Sequence, residues 1–373
     1  ALPISCGVAY QYAKEVFPNA SFLRLGMTYP APAQQIATFA RQVERLIVIE
    51  EGDPVIEEEI KLLGIACEGK SIFPLCDEFS PQVVRQSASA AGLLDSAARL
   101  ERPKLELPAL PPRPPVLCPG CPHRGVFTIT RKLKMVVNGD IGCYTLGFLP
   151  PLGALHSCGC MGASIGVAHG VNLAGIEQKN VAVIGDSTFF HTGIPALLNV
   201  AYNRSNTITI ILDNRTTAMT GHQQHPGTGY TLQGKSANQT DLETLVRAIG
   251  IQQVRVVDPY DLAQVETTLQ ECAALDEPSV VISRRECALL PAARKRYAAL
   301  RVDLDKCIAC GTCRRVGCPA LKKSEQLYPK NNRPKTEIDP LLCTGCEICA
   351  QVCPVNAILF REQVQATPEG KAS

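Results

Sequence analysis

The chain has 373 residues, with 37 Lys+Arg against 35 Asp+Glu, and a net charge of +2 excludes both a strongly basic nucleic-acid binder and a disordered acidic protein. Hydrophobic residues make up 46%, enough for a sizeable core spread over two or three domains. The 18 cysteines sit in a chain too long for a small secreted disulfide scaffold, so metal or cluster binding by reduced thiols in a cytoplasmic setting is expected.

The opening Ala1-Leu2-Pro3-Ile4-Ser5 lacks the basic region of a signal peptide. No apolar run along the chain approaches the ~20 residues of a membrane span. Residues 1–100 read as a small α/β domain. Gly7 to Val16 is helical in composition, Ser21 to Leu25 is a short strand, and Ala33 to Val43 has helical spacing. Leu46-Ile47-Val48-Ile49 is a continuous apolar run, as expected of a buried parallel strand, and a helix follows from Val55 to Leu63. Glu50 and Glu51 at the strand end read as a solvated loop ahead of a functional pair. Residues 101–117 are Pro-rich, with Pro103, Pro108, Pro111, Pro112, Pro114 and Pro115, and read as an extended linker.

Residues 118–297 carry buried-strand runs ending in small or polar residues. Lys134 to Asn138 precedes Gly139-Asp140, Asn180 to Ile184 precedes Gly185-Asp186, Thr207 to Leu212 precedes Asp213-Asn214, and Val280 to Ile282 precedes Ser283. Helical stretches at Thr192–Tyr202 and Asp241–Ile249 lie between them. The pattern is a doubly wound α/β domain, whose ligands bind at the carboxyl ends of the strands. The basic stretch after it (Arg284, Arg285, Arg294, Lys295, Arg296, Arg301) reads as a solvated connector.

Residues 302–362 form a separate small module, followed by a tail at 363–373. Its cysteines run Cys307-x2-Cys310-x2-Cys313-x4-Cys318-Pro319 and Cys343-x2-Cys346-x2-Cys349-x3-Cys353-Pro354. A triple at this spacing wraps three corners of an iron–sulfur cube, and in the bacterial two-cluster ferredoxin arrangement the fourth Cys of each run ligates the other cluster. The predicted sets are Cys307, Cys310, Cys313, Cys353 and Cys343, Cys346, Cys349, Cys318, in an α+β two-[4Fe-4S] ferredoxin fold. A zinc ribbon, the alternative, uses pairs rather than triples.

Gly185-Asp186-Ser187 and Asp213-Asn214 end successive strands, with Asn214 28 residues after Asp186. A carboxylate, an amide oxygen and a nearby carbonyl suit Mg²⁺, which completes its shell with phosphate oxygens. Gly185 permits close approach, and the N–H groups of Ser187 and Thr188 at a helix start suit a pyrophosphate. The plainer reading of Asp186 is a helix N-cap.

Gly185-Asp186 with Asn214 is the thiamine-diphosphate signature. Further stretches narrow it: Cys118-Pro119-Gly120-Cys121-Pro122-His123-Arg124, Gly139 to Tyr144, Gly185 to Gly193, and Thr217 to Gln223. With the fused two-cluster module, the chain resembles the large-subunit (alpha) family of indolepyruvate ferredoxin oxidoreductases over essentially its whole length. The resemblance implies that residues 1–100 are a transketolase-C-like domain and residues 118–297 bind thiamine diphosphate. It implies that Asp186 and Asn214 hold Mg²⁺ through side chains and Thr216 through its carbonyl. It implies oxidative decarboxylation of indolepyruvate and phenylpyruvate to aryl-acetyl-CoA and CO₂. Coenzyme A is then co-substrate, ferredoxin the electron acceptor, and a small (beta) subunit the partner in a hetero-oligomer. It also implies a further α/β domain before residue 1 that activates the cofactor with a Glu. With no initiator Met, the chain is expected to begin inside a longer protein and to be inactive alone.

Cys118, Cys121, Cys143 and Cys287 match a proximal third cluster of related pyruvate-type enzymes, with zinc or plain buried thiols as alternatives. Cys158 and Cys160 lie in a Gly-rich loop and read equally as cofactor contacts or packing residues. Cys6, Cys67, Cys76 and Cys272 read as structural. His191, His222 and His225 lie near strand ends; His191 and His222 are the candidate catalytic groups, with purely structural roles as the alternative. Two other functions compete: a ferredoxin oxidoreductase for a different 2-oxoacid, and an electron-transfer subunit with a decayed thiamine site.

Overall fold

The computed structural model describes residues 2–94, 110, 112–176, 179–291, 293 and 298–360. It divides into two compact units, Ala1–Pro111 and Pro112–Ser373. Most of the Pro-rich stretch, Arg294, Lys295, Arg296 and the tail at 363–373 lie outside the described residues.

In the first unit, strand β1 (Leu2–Cys6) lies between β2 (Leu23–Leu25) and β3 (Leu46–Ile49), all parallel. Helices α1 (Gly7–Val16), α2 (Ala33–Ala40), α3 (Val55–Leu62) and α4 (Pro81–Ala90) cover the sheet. β3 is buried along its whole length because both faces are covered. Ile47 and Ile49 pack with Ala9, Ala13 and Val84, while Leu46 and Val48 pack with Ile36, Ile56 and Ile60. Glu50 is not solvated, whereas Glu51 is exposed as expected. The Glu50 carboxylate is buried and accepts from the Ile56 and Glu57 backbone N–H groups at 2.9 and 3.0 Å, at the start of α3. Glu51 accepts from Phe79 N at 2.6 Å. Both carboxylates accept from backbone N–H groups, Glu50 in the manner of a helix cap.

The second unit holds α5 (His123–Lys132), β4 (Val136–Gly139), β5 (Ser157–Cys158), α6 (Ala163–Leu173) and β6 (Asn180–Gly185). After these come α7 (Asp186–Thr188), α8 (Ile194–Tyr202), β7 (Ile208–Asp213), α9 (Leu242–Ala248), β8 (Gln253–Val257), α10 (Leu262–Ala274) and β9 (Ser279–Arg284). The six strands form a parallel sheet in the order β5-β4-β6-β7-β9-β8. Alternate residues face opposite sides, as a strand dictates. Val183, Ile210 and Val281 meet Phe127 and Leu269 of α5 and α10, whereas Ala182, Ile184 and Ile282 meet Ile165, Leu197 and Val246 of α6, α8 and α9. The sheet is therefore wound on both faces. The helix expected from Thr192 instead opens as a π turn, Phe189–Gly193, before α8; Pro195 in the first turn of α8 has no N–H to donate back.

The cysteine-rich segment pairs β10 (Leu300–Val302) with β13 (Ile358–Phe360) and contains the hairpin β11 (Leu321–Tyr328) and β12 (Arg333–Ile338) and the short α11 (Ile348–Gln351). It is not a body apart. Val316, Ile338, Ile348 and Ile358 belong to the same apolar cluster as Phe127, Val137 and Leu262. The contact is close: Gly120 has φ +67°, and a Cβ there would lie 2.1 Å from Thr344 Oγ1. Tyr260 Oη donates to Gly120 O, Gln351 Nε2 donates to Tyr260 O at 2.6 Å, and Leu262 N donates to Gln351 Oε1 at 2.9 Å.

Two residues of the basic stretch are committed internally. Arg284 pairs with Asp213 at 2.8 Å and Glu243 at 2.9 Å, and Arg285 pairs with Asp258 while lying over the Tyr260 ring. Among the described residues no helix is long and apolar enough to cross a membrane.

Candidate cofactor cavity and cysteine cages

Strand order locates the cavity. From β4 the chain moves outward to β5 and then returns across β4 to β6, so the connections leaving the carboxyl ends of β4 and β6 run in opposite directions. Such a switch point opens a crevice. A cavity of about 110 Å³ sits there, lined by Gly142, Cys143 and Tyr144 after β4, Gly185 to Thr188 after β6, and Asn214, Thr216 and Thr217 after β7.

Asp186 is 2% exposed. It does not cap the helix as its plainer reading had it: it is the first residue of α7, and Gly185 holds the cap position. Its Oδ1 accepts from Ser187 N at 2.8 Å, its Oδ2 accepts from Arg215 N at 2.8 Å, and His225 Nε2 lies 3.2 Å from Oδ2. Burial pushes its carboxyl up from the usual range, His225 pulls it down, and Asp213 pushes it up again. A cation in the cavity would offset that burial. Asn214 turns its Oδ1 to the Thr216 N–H at 3.3 Å, and Thr217 Oγ1 donates to Ser187 Oγ at 2.7 Å, closing the loop over the cavity. A buried carboxylate, an amide oxygen and the Thr216 backbone on one wall form an oxygen donor set that fits Mg²⁺.

Asp140, expected only as part of a motif, is fully buried and ties β4 to α6. Its Oδ2 accepts from Gly162 N at 3.0 Å and Ser164 Oγ at 2.8 Å, while Oδ1 accepts from Tyr144 Oη. The Tyr144 ring packs on Gly185, where a Cβ would lie 2.9 Å from it.

The three histidines singled out by sequence do not line the cavity. His191 is exposed, with Nδ1 2.6 Å from Ser187 O. His222 lies 3.9 Å from Cys287 Sγ. His225 is buried beside Asp186, its Nδ1 accepting from Gly227 N. The histidine that does line the cavity is His123, at the start of α5. Its Nε2 lies 3.5 Å from Asn214 Nδ2, and its ring meets Tyr144 edge-on at 6.2 Å. Since Asn214 Oδ1 is accepting, its Nδ2 donates and the His123 proton belongs on Nδ1. Burial, and then the neighbouring Arg124, lower the His123 pKa to about 4. The folded pKa is below the unfolded ~6.5, so this group's contribution is complete above pH ~6.5 and is lost as pH falls toward 4. Denaturant midpoints followed from pH 7 to 4 are expected to fall less steeply in His123→Gln than in the wild type; parallel curves would refute the assignment.

The cysteines gather into three groups. Burial raises Cys313, and Cys353, Cys310 and Cys307 raise it further. Burial raises Cys349 well above the usual thiol range, followed by Cys346, Cys318 and Cys343. Cys318, Cys343, Cys346 and Cys349 also line one small cavity. Backbone N–H groups point at sulfur, Leu300 N to Cys343 at 3.4 Å and Ala357 N to Cys353 at 3.3 Å. In the third group, burial raises Cys121 to about 12, with Cys118 and Cys143 adding to it, and burial raises Cys143 to about 11, with Cys287 and Cys118 adding. Cys143 also lines the cofactor cavity. Among the described residues no three His, Cys, Asp or Glu side chains converge as they would on a single metal ion.

The remaining cysteines divide otherwise than expected. Cys272 is in the core, Cys6 and Cys67 are half-buried, and Cys76, Cys158 and Cys160 are exposed. Cys158 and Cys160 are therefore neither packed nor among the residues lining the cavity.

Two families match. Thiamine pyrophosphate enzyme, C-terminal TPP binding domain, covers residues 140–283, and 4Fe-4S dicluster domain covers residues 293–357. The chain is 39% identical over 391 residues to indolepyruvate oxidoreductase subunit IorA of Pyrococcus horikoshii, covering 95% of this chain and 59% of that one. It is 37% identical over 390 residues to subunit IorA of Methanothermobacter marburgensis, covering 99% and 60%. An uncharacterized ferredoxin of Methanocaldococcus jannaschii is 41% identical over 61 residues, 16% of this chain and 74% of that one. The chain thus spans about 59% of the length of the first of these curated relatives.

Proposed function

The chain belongs to the family of indolepyruvate oxidoreductase subunit IorA, and on that premise we propose that it is the thiamine- and cluster-bearing part of an arylpyruvate:ferredoxin oxidoreductase. One observation carries the reading: Asp186, Asn214 and Thr216 line a switch-point cavity whose wall also includes Cys143. The reaction is 2-oxoacid, coenzyme A and two oxidised ferredoxins giving acyl-CoA, CO₂, a proton and two reduced ferredoxins. Indolepyruvate and phenylpyruvate are the substrates, and a small partner subunit completes the enzyme.

Thiamine diphosphate, when bound, supplies the electron sink for loss of CO₂, and iron–sulfur clusters supply the one-electron transfer that ferredoxin needs. Asp186, Asn214 and the Thr216 carbonyl would hold Mg²⁺, and the Ser187 and Thr188 end of α7 would face the diphosphate. His225 keeps Asp186 oriented from behind. Neutral His123 offers Nε2 as an acceptor next to Asn214 rather than a charge. The sets Cys307, Cys310, Cys313, Cys353 and Cys343, Cys346, Cys349, Cys318 would hold two [4Fe-4S] clusters, and Cys118, Cys121, Cys143, Cys287 a third.

The test uses the full-length chain with its small partner subunit, coenzyme A and ferredoxin. Indolepyruvate is expected to reduce ferredoxin faster than pyruvate by at least ~10-fold, the discrimination a fitted apolar pocket provides. Equal rates would instead assign the site to another 2-oxoacid.

A further inference from the structure

Arg124 has no role in the site described so far. It is the second residue of α5 and 1% exposed. A helical side chain leans toward its own N-terminus, and this one reaches back between two loops. Nη1 donates to Val316 O at 2.7 Å, and Nη2 donates to Leu117 O and Cys118 O at 2.8 and 2.9 Å. These partners are neutral carbonyls, and among the described residues Nε has no hydrogen-bond partner. A guanidinium stays charged wherever it is placed, and burying it costs several kcal/mol unless negative charge repays it.

The negative charge is on both sides. Arg124 lines the same small cavity as Cys318, Cys343, Cys346 and Cys349. It also holds the carbonyl of Cys118 in the other cage.

We propose that Arg124 is a positioning residue shared by two cages: it ties the Cys118 loop to the Val316–Cys318 turn and supplies a fixed positive charge that favours the reduced form of both. This rests on the reading of both cages as iron–sulfur sites. A cluster held by four thiolates is anionic, and reduction adds one electron with no bond made or broken. A cation fixed nearby stabilises the more negative state more strongly.

The test is a potentiometric titration, read by electron paramagnetic resonance, of the anaerobically iron-loaded chain as wild type, Arg124→Gln and Arg124→Lys. At the wild-type midpoint, Arg124→Gln is expected to lower the reduced-to-oxidised ratio about tenfold, equivalent to about 59 mV for one electron. The centre of the Cys343 set should move with the centre of the Cys118 set, while Arg124→Lys keeps the wild-type ratio within about threefold. Wild-type titration by Arg124→Gln, with its iron intact, would overturn the proposal. So would equal shifts in both variants, since the guanidinium fork rather than its charge would then matter. If Arg124→Gln sheds iron, Arg124→Lys decides alone: unchanged potentials support the charge, and a tenfold shift refutes it. A wild type that takes up no iron ends the cluster reading itself, a different failure.

Discussion

Asp186→Ala is expected to leave no measurable ferredoxin reduction, with thiamine diphosphate and Mg²⁺ no longer bound tightly enough to detect by calorimetry. The carboxylate is the one anionic group in the proposed Mg²⁺ set, and the cofactor's diphosphate is itself an anion that needs the metal between. The substitution also strands the Ser187 and Arg215 N–H groups that the carboxylate now serves. Each buried group left unpaired costs about 1–3 kcal/mol, so a lower melting temperature accompanies the loss. Asp186→Asn separates the effects. It keeps an acceptor for the backbone and so recovers much of the stability, but it removes the charge and leaves activity low. Full activity in Asp186→Ala would refute the magnesium assignment.

The second large effect concerns Cys287. Wild-type chain loaded with iron under anaerobic conditions is expected to hold about twelve Fe, four for each of three cubes, and Cys287→Ser about eight. Ferredoxin reduction should fall by at least about a hundredfold, since even outer-shell losses at metal sites reach that size. The reason lies in position. Cys287 N donates to Asn214 O at 2.9 Å, so the fourth thiol of this cage is tied to a proposed magnesium ligand. Iron and sulfide analysis decides the matter: about eight Fe in the wild type, the content of two cubes, removes the third site.

Much of the fold was legible where a strand is buried on both faces. β3, β6, β7 and β9 carry apolar runs, broken only by Thr209 in β7, because helices cover each side. β8 was not legible, since Arg255 interrupts its run at an exposed position. Helix α6 was missed because Gly166 and Gly170 thin its apolar stripe. The dicluster character of the C-terminal segment could be read from spacing because it is local, three thiols within seven residues. His123 and Arg124 could not: they stand in the Cys118–Arg124 stretch, but their partners are Asn214 and Val316, brought near only by the folded sheet and loops. The other histidines illustrate the opposite limit. Position near a strand end is visible in sequence; the direction of the side chain is not, and of His191 and His225 one is exposed and the other buried.

Many redox proteins ferry electrons with a domain that swings on a tether, so that solvent drag and tether length govern the hand-off. Here Gly120 packs against Thr344, and an apolar core running from Phe127 to Ile358 holds the described residues of the cysteine-rich segment in place. Distances between its thiols and the cavity are set by packing, as stiff as the core itself. Thickening the medium with glycerol should then slow only the meeting with soluble ferredoxin, and leave the internal transfer at its ordinary pace.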